Sequence, residues 1–405
     1  MAYPNRIRAK LKHARRTHIL DLSDMGLEDA DFTQIPRDIK KLILKNNRLT
    51  RLPPLPVWLH ELDCSYNQLA SLPDIPSSLK HLSCIGNNLL SLPELPTWLT
   101  LLYCASNRLR FLPTLPQNLE YLYCSFNRNL QVLPELPRTL KSLYCTHGDL
   151  TALPELYPSL SWLHCGNNRI DTLPPLPNWL TVLTCNNNNL ATLPDLPKKL
   201  VNLKCANNHL TSLPPLPHGL EKLNCARNHI ECLPDLPPGI TKLDCSNNRI
   251  QYISPLGVCI KKLICGGNRL SHLPRIPNSI ETLDCSNNTW NQKFQIQLRN
   301  AERAERGGHL SRENGELVWV YWIDHIDAEI QHKIYMRSVA GYYALLENIK
   351  KRAQKIIQVH KDMVYGTALN SDVATLICSF LSGSNGSLRK QLGSLKRVYI
   401  TGQSD

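Results

Sequence analysis

The chain has 405 residues, with 29 prolines, 15 cysteines and a formal charge of +13. An odd cysteine number excludes complete internal disulfide pairing, and a hydrophobic content of 42% excludes a disordered chain. No apolar run approaches the ~18 residues of a membrane-spanning helix, and no signal-peptide core follows the basic start, so a reducing, cytosolic location is the expectation.

Residues 1–16 hold six basic and no acidic residues. The stretch from Arg6 to Arg16 reads as a basic helix or a solvated arm ahead of the first strand. Nucleic acid or an anionic membrane are the partners such an arm could take. Residues 17–288 carry 24 basic and 22 acidic residues, and residues 289–405 carry 16 and 11, so the excess charge sits at the two ends.

From Thr17 onward the chain is periodic. Twelve cysteines fall at Cys64, Cys84, Cys104, Cys124, Cys145, Cys165, Cys185, Cys205, Cys225, Cys245, Cys265 and Cys285, a step of 20 broken once by a step of 21. All prolines but Pro4 lie between Pro36 and Pro277. One repeat reads Leu59-x-x-Leu62-x-Cys64-x-x-Asn67-x-Leu69-x-x-Leu72-Pro73-x-Ile75-Pro76. A fixed period of this length predicts a solenoid in place of several globular domains. Thirteen copies run from the Leu44 strand to the Cys285 strand, and a degenerate copy around Leu20 to Leu27 precedes them.

Leu62 and Cys64 alternate with Asp63, which places them on one face of a short strand. Stacked copies predict a parallel sheet with this face inward. Asparagines at Asn67, Asn87, Asn107, Asn168, Asn188 and Asn208 leave the strand and can bond backbone groups that the turn leaves unpaired. The Cys145 repeat has Gly148 there. Two prolines three apart, in Leu-Pro-x-Leu-Pro, forbid a helix and predict an extended, polyproline-like outer side.

The pattern resembles the leucine-rich repeat, with cysteine at the third apolar position. Its Leu-Pro-x-Leu-Pro segment at a 20-residue period is similar to YopM and IpaH-type bacterial effectors, and the cysteine-bearing form resembles repeat proteins of amoeba-infecting large DNA viruses. The resemblance implies an α/β-type repeat solenoid with its parallel sheet on the concave side. It also implies a protein-binding, effector-like role inside a host cell. The organisation expected is a basic arm at 1–16, a repeat array at 17–289 and a mainly helical region at 290–405.

The cysteine ladder is expected to be core. A zinc site needs converging ligands, and side chains that all point one way do not converge. Disulfides between parallel neighbours would be distorted, and free cysteine packs as a small hydrophobe. Cys232 and Cys259 fall on outer turns.

Two breaks interrupt the period. The Cys124 repeat carries an extra residue in Asn127-Arg128-Asn129-Leu130, just before the repeat that has Gly148. Ile253-Ser254-Pro255-Leu256-Gly257 loses the proline spacing.

The exposed strand positions supply the candidate site. Tyr103, Tyr121, Tyr123, Phe126, Tyr144, Trp162 and His164 gather on one face of four successive repeats, in a chain with only 6% aromatic residues. Such residues anchor protein interfaces. Tyrosines also stack along sheets and stiffen them, and either role accounts for the cluster. Lys204, Lys222, Arg227, Lys242, Lys261 and Lys262 make the later part of this face basic, with Asp244 and Asp284 diluting it; a solvated surface is the expectation there.

Beyond Pro277 there is no proline. Trp290 to Arg306 reads as a helix capping the last repeat, followed by an apolar run at Val318 to Ile323, which period alone leaves as strand or buried helix. Helical patterns then run at Ala328 to Met363 and from Ser371 to Leu381, with a last apolar segment from Leu388 to Val398. IpaH-type effectors join such repeats to a ubiquitin ligase domain with a catalytic cysteine. The one cysteine here, Cys378, has Phe380 where that family has aspartate, and it falls in an apolar stripe that would leave it inert. A ligase or ligase-adaptor role for 290–405 is therefore the lesser expectation. No nucleotide, metal or hydrolase motif is present, and neither catalytic residue, cofactor nor metal is expected.

Overall fold

The computed structural model describes residues 5–29, 35–274, 276–277 and 279–290. The expectations for residues 291–405, including the capping helix, Val318 to Ile323 and Cys378, lie outside the described residues.

The sequence period becomes one fourteen-stranded parallel sheet in strict chain order. Its three-residue strands are β1 (Ile19–Asp21), β2 (Lys41–Ile43), β3 (Glu61–Asp63), β4 (His81–Ser83), β5 (Leu101–Tyr103), β6 (Tyr121–Tyr123) and β7 (Ser142–Tyr144). They continue as β8 (Trp162–His164), β9 (Val182–Thr184), β10 (Asn202–Lys204), β11 (Lys222–Asn224), β12 (Lys242–Asp244), β13 (Lys262–Ile264) and β14 (Thr282–Asp284). At ~4.8 Å per neighbour the ladder is about 60 Å long.

In each strand the central leucine points inward, and the first and third residues point out. Leu62, Cys64, Leu69 and Leu59 of one repeat are buried and stack on their counterparts, so the core is one continuous column. The segments from Leu52 to Pro56 and their equivalents are neither strand nor helix, as the proline spacing requires. Each ends in a turn where a carbonyl accepts from the N–H three residues on, as Pro56 does from Leu59 at 3.1 Å; the acceptor is a proline in every turn except those at Tyr157 and Gly257. Hydroxyls tie adjacent turns together: Ser78 donates to the carbonyls of Val57 (2.8 Å) and Leu59 (2.7 Å) of the preceding repeat.

The asparagines join the repeats. Asn67 Nδ2 donates to its own Cys64 carbonyl (3.1 Å) and to the Leu44 carbonyl one repeat back (2.9 Å), while its Oδ1 accepts the Leu49 N–H (3.1 Å). The same linkage recurs at Asn87, Asn107 and Asn127. It returns at Asn168, Asn188 and Asn208 and continues to Asn288. From Cys64 to Cys265 each cysteine carbonyl is thus served by two amides, its own and that of the next repeat, except at Cys124 and Cys145, which flank the Gly148 gap and have one each. The buried leucine or isoleucine N–H has only the one acceptor.

The extra residue and the missing asparagine prove to be one feature. Leu130 N–H would need an acceptor from position 148, where Gly148 has none. The additional residue instead closes a tight turn in which Leu130 N–H bonds the Asn127 carbonyl at 3.0 Å. The turn and the next repeat's asparagine border the place a side chain at 148 would take. A Cβ on Gly148 would lie 2.9 Å from Asn168 Oδ1, with the Asn127 and Leu130 carbonyls at 3.5 Å. The register from β6 to β7 and β8 continues unbroken. The second break is also local. A Cβ on Gly257 would lie 2.6 Å from the backbone carbonyl of residue 238 in the preceding turn, so the chain path here favours glycine.

The segment expected to be a basic arm forms helix α1 (Asn5–Thr17). Ile7 and Ala14 are fully buried in the core column, so this segment packs onto the first repeat. Arg15 and Arg16 lie in its last turn, where the helix dipole favours cations. His18 ends it in a left-handed conformation (φ 58) and its carbonyl accepts from the N–H groups of Lys40 and Lys41. At the far end Trp290 is buried against the column.

The coupling of the two irregularities is testable in a double-variant cycle. Gly148→Asn alone is expected to lower stability by about 1–3 kcal/mol through overpacking. Combining it with deletion of Asn129, which restores the regular repeat, should recover most of that loss in urea unfolding. Independent, additive effects would contradict the coupling.

Candidate protein-interaction site

The parallel register turns the sequence cluster into a wall. Tyr103, Tyr123, Tyr144 and His164 are the third residues of β5 to β8 and stand in line. Tyr103 meets Tyr123 edge to face at 4.5 Å between centroids, Tyr123 stacks on Tyr144 at 4.2 Å, and Tyr144 stacks on His164 at 4.2 Å. The rings therefore cover one another's faces and present edges and hydroxyls outward. All four are half-buried.

Tyr121 and Trp162, the first residues of β6 and β8, flank Ser142 in the register. Ser142 is only 1% exposed, unlike the first residue of every other strand, whereas Trp162 remains 44% exposed. A small residue between two large ones is enclosed by them.

Phe126 stands two residues past Cys124, at a position where the chain adopts the left-handed conformation in nearly every repeat. Asparagine fills that position at Asn46, Asn167, Asn187, Asn207, Asn247 and Asn287, as the backbone prefers. Phe126 (φ 57) is an aromatic in a conformation that disfavours it, and it is 48% exposed. His147 (φ 56) occupies the same place one repeat later and stacks on Phe126 at 4.1 Å. Sequence reading passed over His147; the signal was its offset from Cys145, the same as that of Phe126 from Cys124. All seven candidate residues thus lie on β5 to β8 or their exits, with His147 as an eighth member.

Burial sets the charge state of the wall. It pushes the Tyr123 phenol up to about 12, with Tyr144 and Tyr103 adding to the effect. It lowers His164, to which Lys204 contributes, and lowers His147, to which Arg128 contributes. The wall is therefore neutral and aromatic at neutral pH.

The ladder cysteines behind it, from Cys64 to Cys265, are buried and form no disulfide. Burial, and next the neighbouring thiols, push those of Cys64, Cys84 and Cys104 well above their ordinary range; burial brings Cys124 and Cys165 to about 12. They are protonated core groups. Cys232 and Cys259, off the ladder, are exposed. Among the described residues no group of histidines, cysteines and carboxylates could hold a metal ion, and no helix is long and apolar enough to cross a membrane.

Repeat, sheet and asparagine ladder together define the class: the chain belongs to the leucine-rich repeat proteins. It is similar to the leucine-rich effector protein YopM from Yersinia pestis, at 32% identity over 70% of this chain and 88% of that one, with a TM-score of 0.62. It is also similar to YopM from Yersinia enterocolitica WA-314, at 34% identity over 64% of this chain, with a TM-score of 0.58; there the match spans 62% of the YopM length. The functional domain of InlJ from Listeria monocytogenes, which includes a cysteine ladder, shares the fold at 24% identity and a TM-score of 0.56, over 64% of this chain and 62% of that one. No protein-family model matches the chain, and no curated protein matches it in sequence.

The protonated ladder makes stability sensitive to alkali. A folded thiol pKa raised above the unfolded value of about 8.5 means that the native state keeps protons the unfolded chain releases. Its contribution is complete below about pH 8.5 and is lost as pH rises toward 12. Urea midpoints measured under reducing conditions should fall steeply between pH 8 and pH 10. Replacing Cys124, Cys145 and Cys165 by valine should make that fall shallower; a wild-type midpoint constant over the range would contradict the assignment.

Proposed function

We propose that the protein is a non-enzymatic interaction scaffold that binds a protein partner on the concave face of the sheet, through Tyr103, Tyr121, Tyr123, Phe126, Tyr144, Trp162 and His164. The observation that carries this reading is the pair Phe126 and Trp162. Stacking alone explains rings that cover one another, such as Tyr123 and Tyr144. It does not explain why Phe126 and Trp162 stay 48% and 44% exposed. The two flank a neutral wall of stacked rings, the composition that protein interfaces favour.

The likeness to YopM, an effector protein of Yersinia, supports an effector-like role and an intracellular setting for this chain. In this reading the array is 17–289, preceded by the basic segment 1–16.

The test is partner capture. Tyr123→Ala combined with Trp162→Ala is expected to lose the partners that the wild-type chain recovers from a host-cell lysate, while circular dichroism and the urea midpoint show an intact array. Recovery of the same partners by both proteins would refute the aromatic wall as the binding site.

A further inference from the structure

Beyond the aromatic wall the same face changes chemistry. Lys222, Lys242 and Lys262 are the first residues of β11, β12 and β13, and the register sets them directly beside one another. Strands lie ~4.8 Å apart, and like charges directly opposite on adjacent strands destabilise a sheet unless something offsets them. All three side chains are exposed. Elsewhere the array pairs its lysines across repeats: Lys41 with Glu61 at 2.6 Å, Lys141 with Glu120 at 2.8 Å and Lys261 with Glu281 at 3.5 Å. Among the described residues these three have no such ion pair.

The carboxylates on this stretch of the face do not serve them. Asp244 Oδ1 accepts from the N–H and hydroxyl of Ser246, and Asp284 Oδ1 does the same with Ser286, so each is directed to its strand exit. Lys204, exposed at the end of β10, extends the positive strip toward the wall.

We propose that Lys204, Lys222, Lys242 and Lys262 form a docking strip for an acidic segment of a polypeptide partner. The inference goes beyond the aromatic wall and does not depend on it. Charge complementarity selects an anionic occupant, because carboxylates laid along the row would remove the repulsion that the sheet itself leaves in place. The strip itself favours a polypeptide over single-stranded nucleic acid. Bases bind such platforms by stacking on aromatic rings, and the strands β10 to β13 carry none.

A labelled poly-glutamate peptide and the full chain test this by fluorescence anisotropy. Wild type is expected to bind with an affinity that falls about tenfold or more as salt is raised from low to physiological strength. Combined Lys222→Glu, Lys242→Glu and Lys262→Glu should abolish binding, while the Tyr123→Ala, Trp162→Ala protein should retain it. Lys242→Gln alone should weaken binding yet raise the urea midpoint, because it relieves repulsion; this variant keeps the test valid if the triple variant fails to fold. Equal binding by wild type and Lys242→Gln and triple variants would overturn the proposal, since the peptide would then be held elsewhere, for example at α1. Absence of wild-type binding would overturn it too. So would a single-stranded oligonucleotide of equal charge that displaces the peptide at lower concentration and needs the same lysines.

Discussion

An asparagine amide, present in every cysteine repeat but that of Gly148, is the constraint on which the structure depends. Strands of three residues offer few ladder bonds, and the proline-rich outer side offers no regular ones. The turn between them must bury backbone groups, which are costly unless partnered. The amide of Asn67 and its equivalents bonds its own repeat and the one before it. With the backbone bonds that cross between repeats, such as Cys64 N–H to the Ser83 carbonyl, it holds the repeats in register. The leucines and cysteines can then stack as a column, with no side chain needed from the other face to hold the sheet together.

This division frees the exposed face. Its first and third strand residues vary from aspartate to lysine to tyrosine while the register stays constant, so chemistry can be laid out along the array by position. An aromatic neutral stretch occupies β5 to β8 and a positive stretch begins at Lys204. The cysteines belong to the other side of this division. They stand where leucine would serve, and burial holds them protonated, so their number reflects packing in a narrow column and not redox or metal chemistry.

The repeat, the inward leucine and cysteine, the asparagine linkage and the membership of the aromatic wall were legible in the sequence, because each recurs at a fixed offset and periodicity translates directly into neighbours. What single offsets do not carry was less legible. The extra residue at Arg128-Asn129 and the glycine at 148 look like separate defects along the chain. Their link is a hydrogen bond from Leu130 to Asn127 that replaces one across repeats. His147 was missed because the period shifts by one just before it. Stacking of Tyr123 on Tyr144 was foreseeable, but the burial of Ser142 depends on the sizes of its neighbours on two other strands. The burial of Ile7 and Ala14 was hidden by the high charge of the segment around them.

The central claim is that the asparagine amide, through its bond to one otherwise orphaned N–H, holds each repeat to the next. Asn188→Leu tests it most directly, at a regular point of the array. Both cysteine carbonyls it touches keep a second donor, so the loss falls on the Ile170 N–H, bonded at 3.0 Å. Urea unfolding is predicted to show a loss of about 1–3 kcal/mol, the penalty for one buried unpartnered donor, with amide exchange at Ile170 accelerated ahead of its neighbours. Unchanged stability together with unchanged protection at Ile170 would contradict the account.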